Sequence, residues 1–406
     1  MRILFLHSFY KPYVVGGAEI ALQCQVEGLR KAGHEVAVLS GGPEKGLRMD
    51  RVDGVPVWRA EVRNLYFSFE KDKEISVKRK IWHLLDSYNP RMCSAVRMVL
   101  ADFRPDVVSC HCLPGWSIAA WDEISRHRIP IVQVLHDHYL VCAKSTMFKG
   151  EQRCKKRCLS CRILRLMHCK KSSQVTAVVG VSRFILNKFM MYGYFKNALL
   201  KTFVYQTRQR LGEGSLPGER TEDGTIGFGF IGMLDPNKGV DRLLKAFTGM
   251  AQRNWKLIIA GTGKPAYEDH LKKRYHDPRV EFVGHVLPKD FYPKIDFLVM
   301  PSLCEEAFGM VAAEALTFGK PVLGSNRGGI PEILQEGVDG YLFNPDDHQN
   351  FQGLLEKCAS EISFWRKEAS RISTSAIQLQ DEAAWLNRWL DIYQSAIALY
   401  QTQKDR

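Results

Sequence analysis

"MRILFLHSFYKPYVVGGAEIALQCQVEGLRKAGHEVAVLSGG", residues 1–42, decides the fold. The apolar run at 2–9 reads as a buried strand. Gly16-Gly17-Ala18-Glu19 opens a helix that Gly33 would end, and "HEVAVLSGG" (34–42) is a second strand. Strand, glycine turn, helix and strand together form the repeating unit of a parallel sheet. The strand signal returns at "VPVWRAEV" (55–62), "DVVSCHC" (106–112), "IPIVQVLHD" (129–137) and "AVVGVS" (177–182), with helical stretches such as "WSIAAWDEISRHR" between some of them. The expectation is a doubly wound α/β domain over residues 1–205.

A polar stretch rich in Gly, Glu and Pro, "RLGEGSLPGERTEDG" (210–224), then reads as a linker. The rhythm resumes after it: "TIGFGFIGM", "WKLIIAGTG", "RVEFVGHV", "DFLVMPS" and "KPVLGSN" are five strand candidates. This gives a second α/β domain over 206–384. Two such Rossmann-like sheets facing each other would hold a ligand at the carboxyl ends of their strands. "WLNRWLDIYQSAIALY" closes the chain as an apolar-periodic helix within 385–406.

Length and composition agree with this division. A chain of 406 residues suits two cores, and 45% hydrophobic with 25% charged residues is a globular composition. No run of eighteen apolar residues occurs, and the start "MRILFLHSFY" leads into Lys11-Pro12 without a long hydrophobic region. A cytoplasmic chain that does not span a membrane is expected. Its eleven cysteines would then be reduced.

The chemistry concentrates in "PSLCEEAFGMVAAEAL" (301–316). Glu306 falls in the loop after the strand "DFLVMPS", at the positive end of the following helix. The backbone N–H groups of Phe308, Gly309 and Met310 would form a cradle for a phosphate or sugar hydroxyl. Glu314, on the first turns of that helix, is suited to a ribose diol. The bland alternative makes Glu306 a first-turn acid and Glu314 a solvated helix residue.

This stretch resembles the Glu-x7-Glu motif of family 4 of the retaining glycosyltransferases, which have the GT-B fold of two facing Rossmann-like domains. The resemblance covers nearly the whole chain. It includes Gly16-Gly17-Ala18-Glu19, "GHEVAVLS", "FIGMLDPNKGVDRLLKAF" (230–247), "IIAGTG", "EFVGHV", "MPS" and "GGIPEIL" (328–334). It implies that Glu306 holds donor-sugar hydroxyls, Glu314 binds the donor ribose, and Lys238 neutralises the leaving diphosphate. Gly16 and Gly17 would let the backbone approach the phosphates, with Phe308, Gly309 and Met310 beside the sugar and diphosphate. His136 would stand near the transferred sugar, although a structural strand-end histidine is the alternative, and Asp137 would orient His136 or cap its loop. The family is generally metal-independent, so no catalytic cofactor is expected beyond the nucleotide diphosphate sugar itself.

One departure stands out. Where the family has Gly-Arg-Leu, this chain has Gly232-Met233-Leu234, so a diphosphate-pairing arginine is absent, and Arg327 is the candidate substitute. A bidentate cation contributes about 1.5–3 kcal/mol. A second departure is "KTFVYQTRQRL", where many relatives carry an Asn-Gly turn.

Residues 142–171 form a cysteine-rich basic insert, with ten Lys and Arg against the single acid Glu151, a net +9 within a chain total of +13. Cys154, Cys158 and Cys161, joined by Cys142 or Cys169, have the spacing of a structural zinc site, with the surrounding cations lowering the thiol pKa values. An iron–sulfur cluster and free thiols in an ordered insert are the other readings. The charge would attract an anionic acceptor or anionic lipid headgroups, whereas nucleic acid finds little support because Phe148 is the insert's single aromatic ring.

The expected activity is transfer of a hexose-type sugar, with retention, from a nucleotide diphosphate sugar to a lipid-linked or polysaccharide acceptor. Cell-surface glycan or lipopolysaccharide assembly at the inner face of the plasma membrane is the expected setting. A non-catalytic sugar-nucleotide binding protein, and a GT-B epimerase or phosphorylase, are the competing classes.

Overall fold

The opening segment folds as its pattern requires in the computed structural model of the protein, which describes residues 1–67, 69, 76–206, 224–252, 254–379 and 381–405. β1 (Arg2–His7) pairs in parallel with β2 (Glu35–Gly42), and the helix Gly17–Lys31 crosses between them. Ile3 to Leu6 are all buried, as befits a parallel strand covered on both faces. Gly33, at φ 85°, ends the crossover by donating its N–H to Arg30 O (3.0 Å).

Six further strands complete this sheet: β3 (Leu47–Val52), β4 (Val55–Glu61), β5 (Val107–Cys110), β6 (Ile131–Leu135), β9 (Ala177–Gly180) and β10 (Leu200–Phe203). Their order is β10-β9-β6-β5-β1-β2-β4-β3. All neighbours are parallel except β3 and β4, which form an antiparallel hairpin. Its turn, Asp53-Gly54, has both residues at positive φ (51° and 79°), the conformation that matches a two-residue turn to strand twist.

The chain divides into two compact units. One comprises Met1–Met147, Lys155–Thr207 and Glu382–Arg406; the other comprises Phe148–Cys154 and Arg208–Asp381. The C-terminal helix Glu382–Lys404 thus lies in the first unit, where Gln25 Nε2 donates to the Tyr393 hydroxyl (2.8 Å). The insert is divided: the short hairpin β7 (Phe148–Lys149) and β8 (Gln152–Arg153) sits with the second unit. The linker expected at 210–224 lies, apart from Gly224, outside the described residues.

In the second unit a parallel six-stranded sheet runs in the order β13-β12-β11-β14-β15-β16. These strands are β11 (Ile226–Ile231), β12 (Trp255–Ala260), β13 (Val280–Gly284), β14 (Phe297–Met300), β15 (Val322–Ser325) and β16 (Gly340–Phe343). Phe228, Phe247 and Phe297 pack with Trp255 and Trp365 in one core. Both sheets are doubly wound α/β, as expected. Among the described residues no helix is long and apolar enough to cross a membrane.

Candidate active site

Glu306 is held in the loop between β14 and the helix Met310–Thr317, with its side chain 15% exposed. Its Oε1 accepts from Lys238 Nζ and from Ser302 Oγ, each at 2.7 Å. Lys238 comes from a short turn, Pro236–Lys238, capped by Asp235, whose Oδ1 accepts from Asn237 N (3.0 Å). The Asn237 carbonyl in turn accepts from Leu303 N (2.9 Å) and Cys304 N (3.1 Å), which ties the two loops together. Burial works against the Lys238 ammonium, yet the Glu306 carboxylate more than offsets it and holds the group above its ordinary pKa. Lys238 is therefore charged throughout the physiological range.

Glycines bring the backbone this close. A Cβ on Gly239, at φ 73°, would lie 1.9 Å from Pro301 O, and one on Gly328, at φ 64°, would lie 2.1 Å from Glu306 O. Gly329 N donates to Glu306 O (2.8 Å). The Arg327-Gly328-Gly329 turn therefore packs directly on the Glu306 backbone. Arg327 itself is buried; its Nη2 pairs with Asp346, while Nη1 has no hydrogen-bond partner among the described residues. Met233 is half exposed on the loop after β11, whose Gly232 and Leu234 N–H groups donate to Ala260 O (3.0 Å) and Thr262 O (2.9 Å).

Phe308 is buried, and Gly309, at φ 118°, caps the helix that follows. Met310 begins that helix, so the three residues of the expected cradle surround its N-terminus. Glu314 is 4% exposed, with the Tyr292 hydroxyl 3.3 Å from its Oε2. A solvated helix residue is thereby excluded for Glu314.

In the first unit, Gly16 caps the helix Gly17–Lys31, and its N–H donates to Glu19 Oε2 (2.8 Å). Its φ of −170° suits any residue, and an added Cβ would have nothing within 4 Å. Among the described residues, no packing demands glycine at 16. His136, half-buried just after β6, joins a chain of hydrogen bonds, buried at its far end, that spacing alone did not reveal. Gln206 Nε2 lies 2.6 Å from His136 Nδ1; an amide nitrogen donates, so the His136 proton sits on Nε2. That Nε2 donates to His111 Nδ1 (2.8 Å), and His111 Nε2 to Ser109 Oγ (3.0 Å). Ser109 Oγ also accepts from the Tyr393 hydroxyl (2.9 Å).

Every imidazole here is neutral. Burial, with His7 nearby, pulls His136 down to about 3; burial takes His7 to about 3 and His111 well below its usual value. Asp137 does not reach the His136 ring nitrogens. Its Oδ1 accepts from Tyr139 N (2.7 Å), capping the loop, and burial lifts its carboxyl to about 6.

Of the zinc candidates, Cys142 and Cys161 meet, with Sγ atoms 3.8 Å apart. Among the described residues no three or more His, Cys, Asp or Glu are grouped as a metal would require. The expectation that cations lower the thiols fails for Cys161: its contact with Cys142, then burial, pushes the pKa well above the usual thiol value. Nor is the basic charge all solvated. Arg165 is fully buried against Asp86 (3.6 Å), and Lys171 pairs with Asp122 (2.7 Å).

Comparison with known proteins gives this geometry a family. Residues 16–196 match the glycosyl transferase 4-like domain and residues 225–360 the glycosyl transferases group 1. An uncharacterized 42.6 kDa protein in the cps region of Klebsiella pneumoniae is 28% identical over 82% of this chain and 87% of its own length. The lipopolysaccharide 1,2-N-acetylglucosaminetransferase of Salmonella typhimurium is 34% identical over 30% of this chain and 35% of its own. The fold of Anabaena HepE, solved in complex with UDP, superposes with a TM-score of 0.70 at 19% identity, covering 97% of this chain and all of that one. With both sheets of the GT-B fold present and each matched to its domain family, the chain belongs to the family 4-like glycosyltransferases.

Proposed function

We propose that the protein transfers a hexose-type sugar from a nucleotide diphosphate sugar, with retention at the anomeric carbon, to a lipid-linked or polysaccharide acceptor in cell-surface glycan assembly. The observation carrying this reading is the Lys238–Glu306–Ser302 cluster, pressed against the Gly328-Gly329 turn beside a helix N-terminus. A positive charge, a carboxylate and a helix N-terminus meet there, which suits a sugar diphosphate. The similar proteins point the same way: HepE is solved in complex with UDP and glucose, and the Salmonella relative is a lipopolysaccharide 1,2-N-acetylglucosaminetransferase.

In this reading the bond from the anomeric carbon to the diphosphate breaks, the acceptor oxygen takes its place on the same face, and the acceptor's hydroxyl proton passes to the departing diphosphate. Lys238 meets the charge that develops on the departing diphosphate. Glu306 holds sugar hydroxyls, Glu314 the ribose, and the backbone at Phe308, Gly309 and Met310 lies beside the sugar and diphosphate. Gly16 and Gly17 leave room for phosphate, and Arg327 offers Nη1 in place of the arginine replaced by Met233. His136 serves as a neutral hydrogen-bonding group beside the transferred sugar, exchanging one of its present partners for a hydroxyl. No metal takes part in the step.

The test is a thermal-shift panel of UDP, GDP, ADP and their sugars on the wild type and on Glu314→Ala. A ligand present at a hundred times its dissociation constant stabilises by about 2.7 kcal/mol. A shift with one nucleotide, lost in Glu314→Ala, is expected and identifies the base. No shift with any nucleotide would overturn the donor assignment.

A further inference from the structure

Two thiols of the first unit point at each other. Cys142, in the loop after β6, and Cys161, on the helix Leu159–Leu164, are 5% and 8% exposed, and the Cys161 thiol donates to Cys142 Sγ across 3.8 Å. Cys93 and Cys169 show the ordinary use of a thiol, donating weakly to a carbonyl: Ala119 O (3.5 Å) and Gly193 O (3.2 Å) respectively. A sulfur–sulfur contact between residues 19 positions apart is a different relationship.

The backbones around this contact are fixed. The loop is closed on itself by His138 N to Ser145 O (3.0 Å), Cys142 N to His138 O (2.8 Å) and Ser145 N to Cys142 O (3.0 Å). Arg165, at the end of the helix, is fully buried and donates from Nε to Tyr139 O (2.9 Å), while the Tyr194 hydroxyl donates to Leu140 O (2.7 Å). Loop and helix are therefore held together without the sulfurs. What a covalent bond adds is closure of Sγ to Sγ from 3.8 Å to about 2.05 Å.

Neither sulfur of the pair is open to an oxidant in solution, and the hydrogen bond to Cys142, followed by burial, keeps Cys161 protonated. Another point of entry is needed. Cys158, three positions before Cys161 at the start of the same helix, is part-exposed and also hydrogen-bonds the Cys161 thiol. This is the Cys-x2-Cys spacing at which two thiols at a helix start can exchange one disulfide.

We infer that Cys142 and Cys161 are a reversible oxidation site, converted to a disulfide by oxidised glutathione that enters through Cys158. Cys158, as thiolate, attacks one sulfur of the oxidant, so that a mixed disulfide forms and one glutathione leaves. Cys161 then gives up its proton and attacks the Cys158 sulfur, expelling the second glutathione; Cys142 in turn attacks Cys161 and returns Cys158 to a thiol. In sum, two protein thiols lose two electrons and two protons, and one glutathione disulfide takes them up as two thiols. The new bond fastens the loop that follows His136 and Asp137 to the helix Leu159–Leu164. The inference does not depend on the donor assignment, because it concerns other residues and its test contains no nucleotide.

The experiment equilibrates the reduced full chain with glutathione buffers from fully reduced to fully oxidised, quenches with acid, alkylates the remaining thiols and maps the peptides by mass. The expected result is a linked Cys142–Cys161 peptide, with both sites losing alkylation together and regaining it after dithiothreitol, and a melting temperature several degrees higher in the oxidised wild type. Cys158→Ser should slow the linkage about tenfold or more and leave its final extent unchanged. Cys161→Ser should abolish the melting shift, and the peptide map of the wild type stands whether or not that variant folds. Glutathione adducts without the linked peptide, a linked pair other than this one, or protection of both thiols that a chelator removes would overturn the proposal. Linkage as fast in Cys158→Ser as in the wild type would overturn the route through Cys158.

Discussion

Lys238 Nζ lies 2.7 Å from Glu306 Oε1, so the cation proposed to meet the diphosphate is already matched by the carboxylate proposed to hold the sugar. The two therefore report different parts of one ligand. Lys238→Met should weaken binding of the nucleotide diphosphate by about ten- to a hundredfold, the loss of one charge-assisted contact of about 1.5–3 kcal/mol. Glu306→Gln should spare the free diphosphate and weaken the complete nucleotide sugar. Isothermal titration with the diphosphate and with its sugar separates these outcomes; equal losses in both variants for both ligands would contradict the division of roles.

Acid should destabilise the fold through the buried histidines. His7 and His136 are pulled by burial to about 3, and His168 to about 2, all well below their unfolded value near 6.5. Between those values the unfolded chain binds protons that the folded chain refuses, so stability falls as pH drops below about 6.5, by roughly 1.4 kcal/mol per pH unit for each such group. Asp137, raised to about 6, works in the opposite sense: it stabilises at low pH and loses that contribution as pH rises through 6. These three histidines, with His111 lowered by burial as well, outweigh Asp137 and Asp86, whose carboxyl burial also raises. Melting temperatures measured from pH 7.5 to 4.5 should decline steadily, and a flat profile would refute the neutral assignment.

Much of the fold was legible because β1, β5 and β6 are buried on both faces and read as continuous apolar runs. β3 was missed: "LRMDRV" is an exposed edge strand with charged residues, although the Asp53-Gly54 turn after it signals a hairpin. The β7–β8 hairpin was hidden by the charge of its segment, where only Phe148 points to packing. At the site, Glu306 and Lys238 stood out through their motifs. The chain from Gln206 through His136, His111 and Ser109 to Tyr393 did not, since Ser109 and Tyr393 are 284 positions apart and only the folded C-terminal helix brings them together. The histidines ending the adjacent strands β5 and β6 were the available clue, because neighbouring parallel strands place their end residues side by side.

That chain predicts a positioning role for Tyr393. Tyr393→Phe removes the hydroxyl between Gln25 and Ser109 and leaves His111 as the remaining donor to Ser109 Oγ in this network. One buried hydrogen-bond partner lost costs about 1–3 kcal/mol. If the chain orients His136, the maximal transfer rate should fall several-fold with the donor KM unchanged. A purely structural role would lower the melting temperature and leave the rate of the folded fraction intact.

Gly239 and Gly16 make a matched pair of tests. An alanine at 239 meets Pro301 O at 1.9 Å in a left-handed backbone, so Gly239→Ala should destabilise the second unit by about 3 kcal/mol or more. Gly16→Ala meets nothing and has extended backbone, so its melting temperature should stay within about half a degree to a degree of wild type, an effect of at most ~0.5 kcal/mol. A loss of nucleotide binding in Gly16→Ala with unchanged stability would then report the ligand's approach to the backbone, and retained binding would remove Gly16 from the donor site.

The hairpin of the basic insert bears on the loop that carries Glu306. Phe148 packs with Leu303 and Cys304, and Arg153 Nη1 lies 3.5 Å from Glu305 Oε1, the residue before Glu306. Leu303 and Cys304 are also the residues whose N–H groups hold the Asn237 carbonyl, so support lost beneath them passes to both Glu306 and Lys238. Phe148→Ala removes the ring from a three-residue cluster and should raise the nucleotide-sugar Kd by roughly tenfold, about 1.4 kcal/mol, because the loop must then be ordered at the expense of binding. Arg153→Ala breaks only a part-exposed ion pair and should change the Kd by less than about fivefold, under 1 kcal/mol. Titration of both variants decides whether the hairpin braces that loop through its ring; a larger effect from Arg153→Ala than from Phe148→Ala would assign that task to the charge.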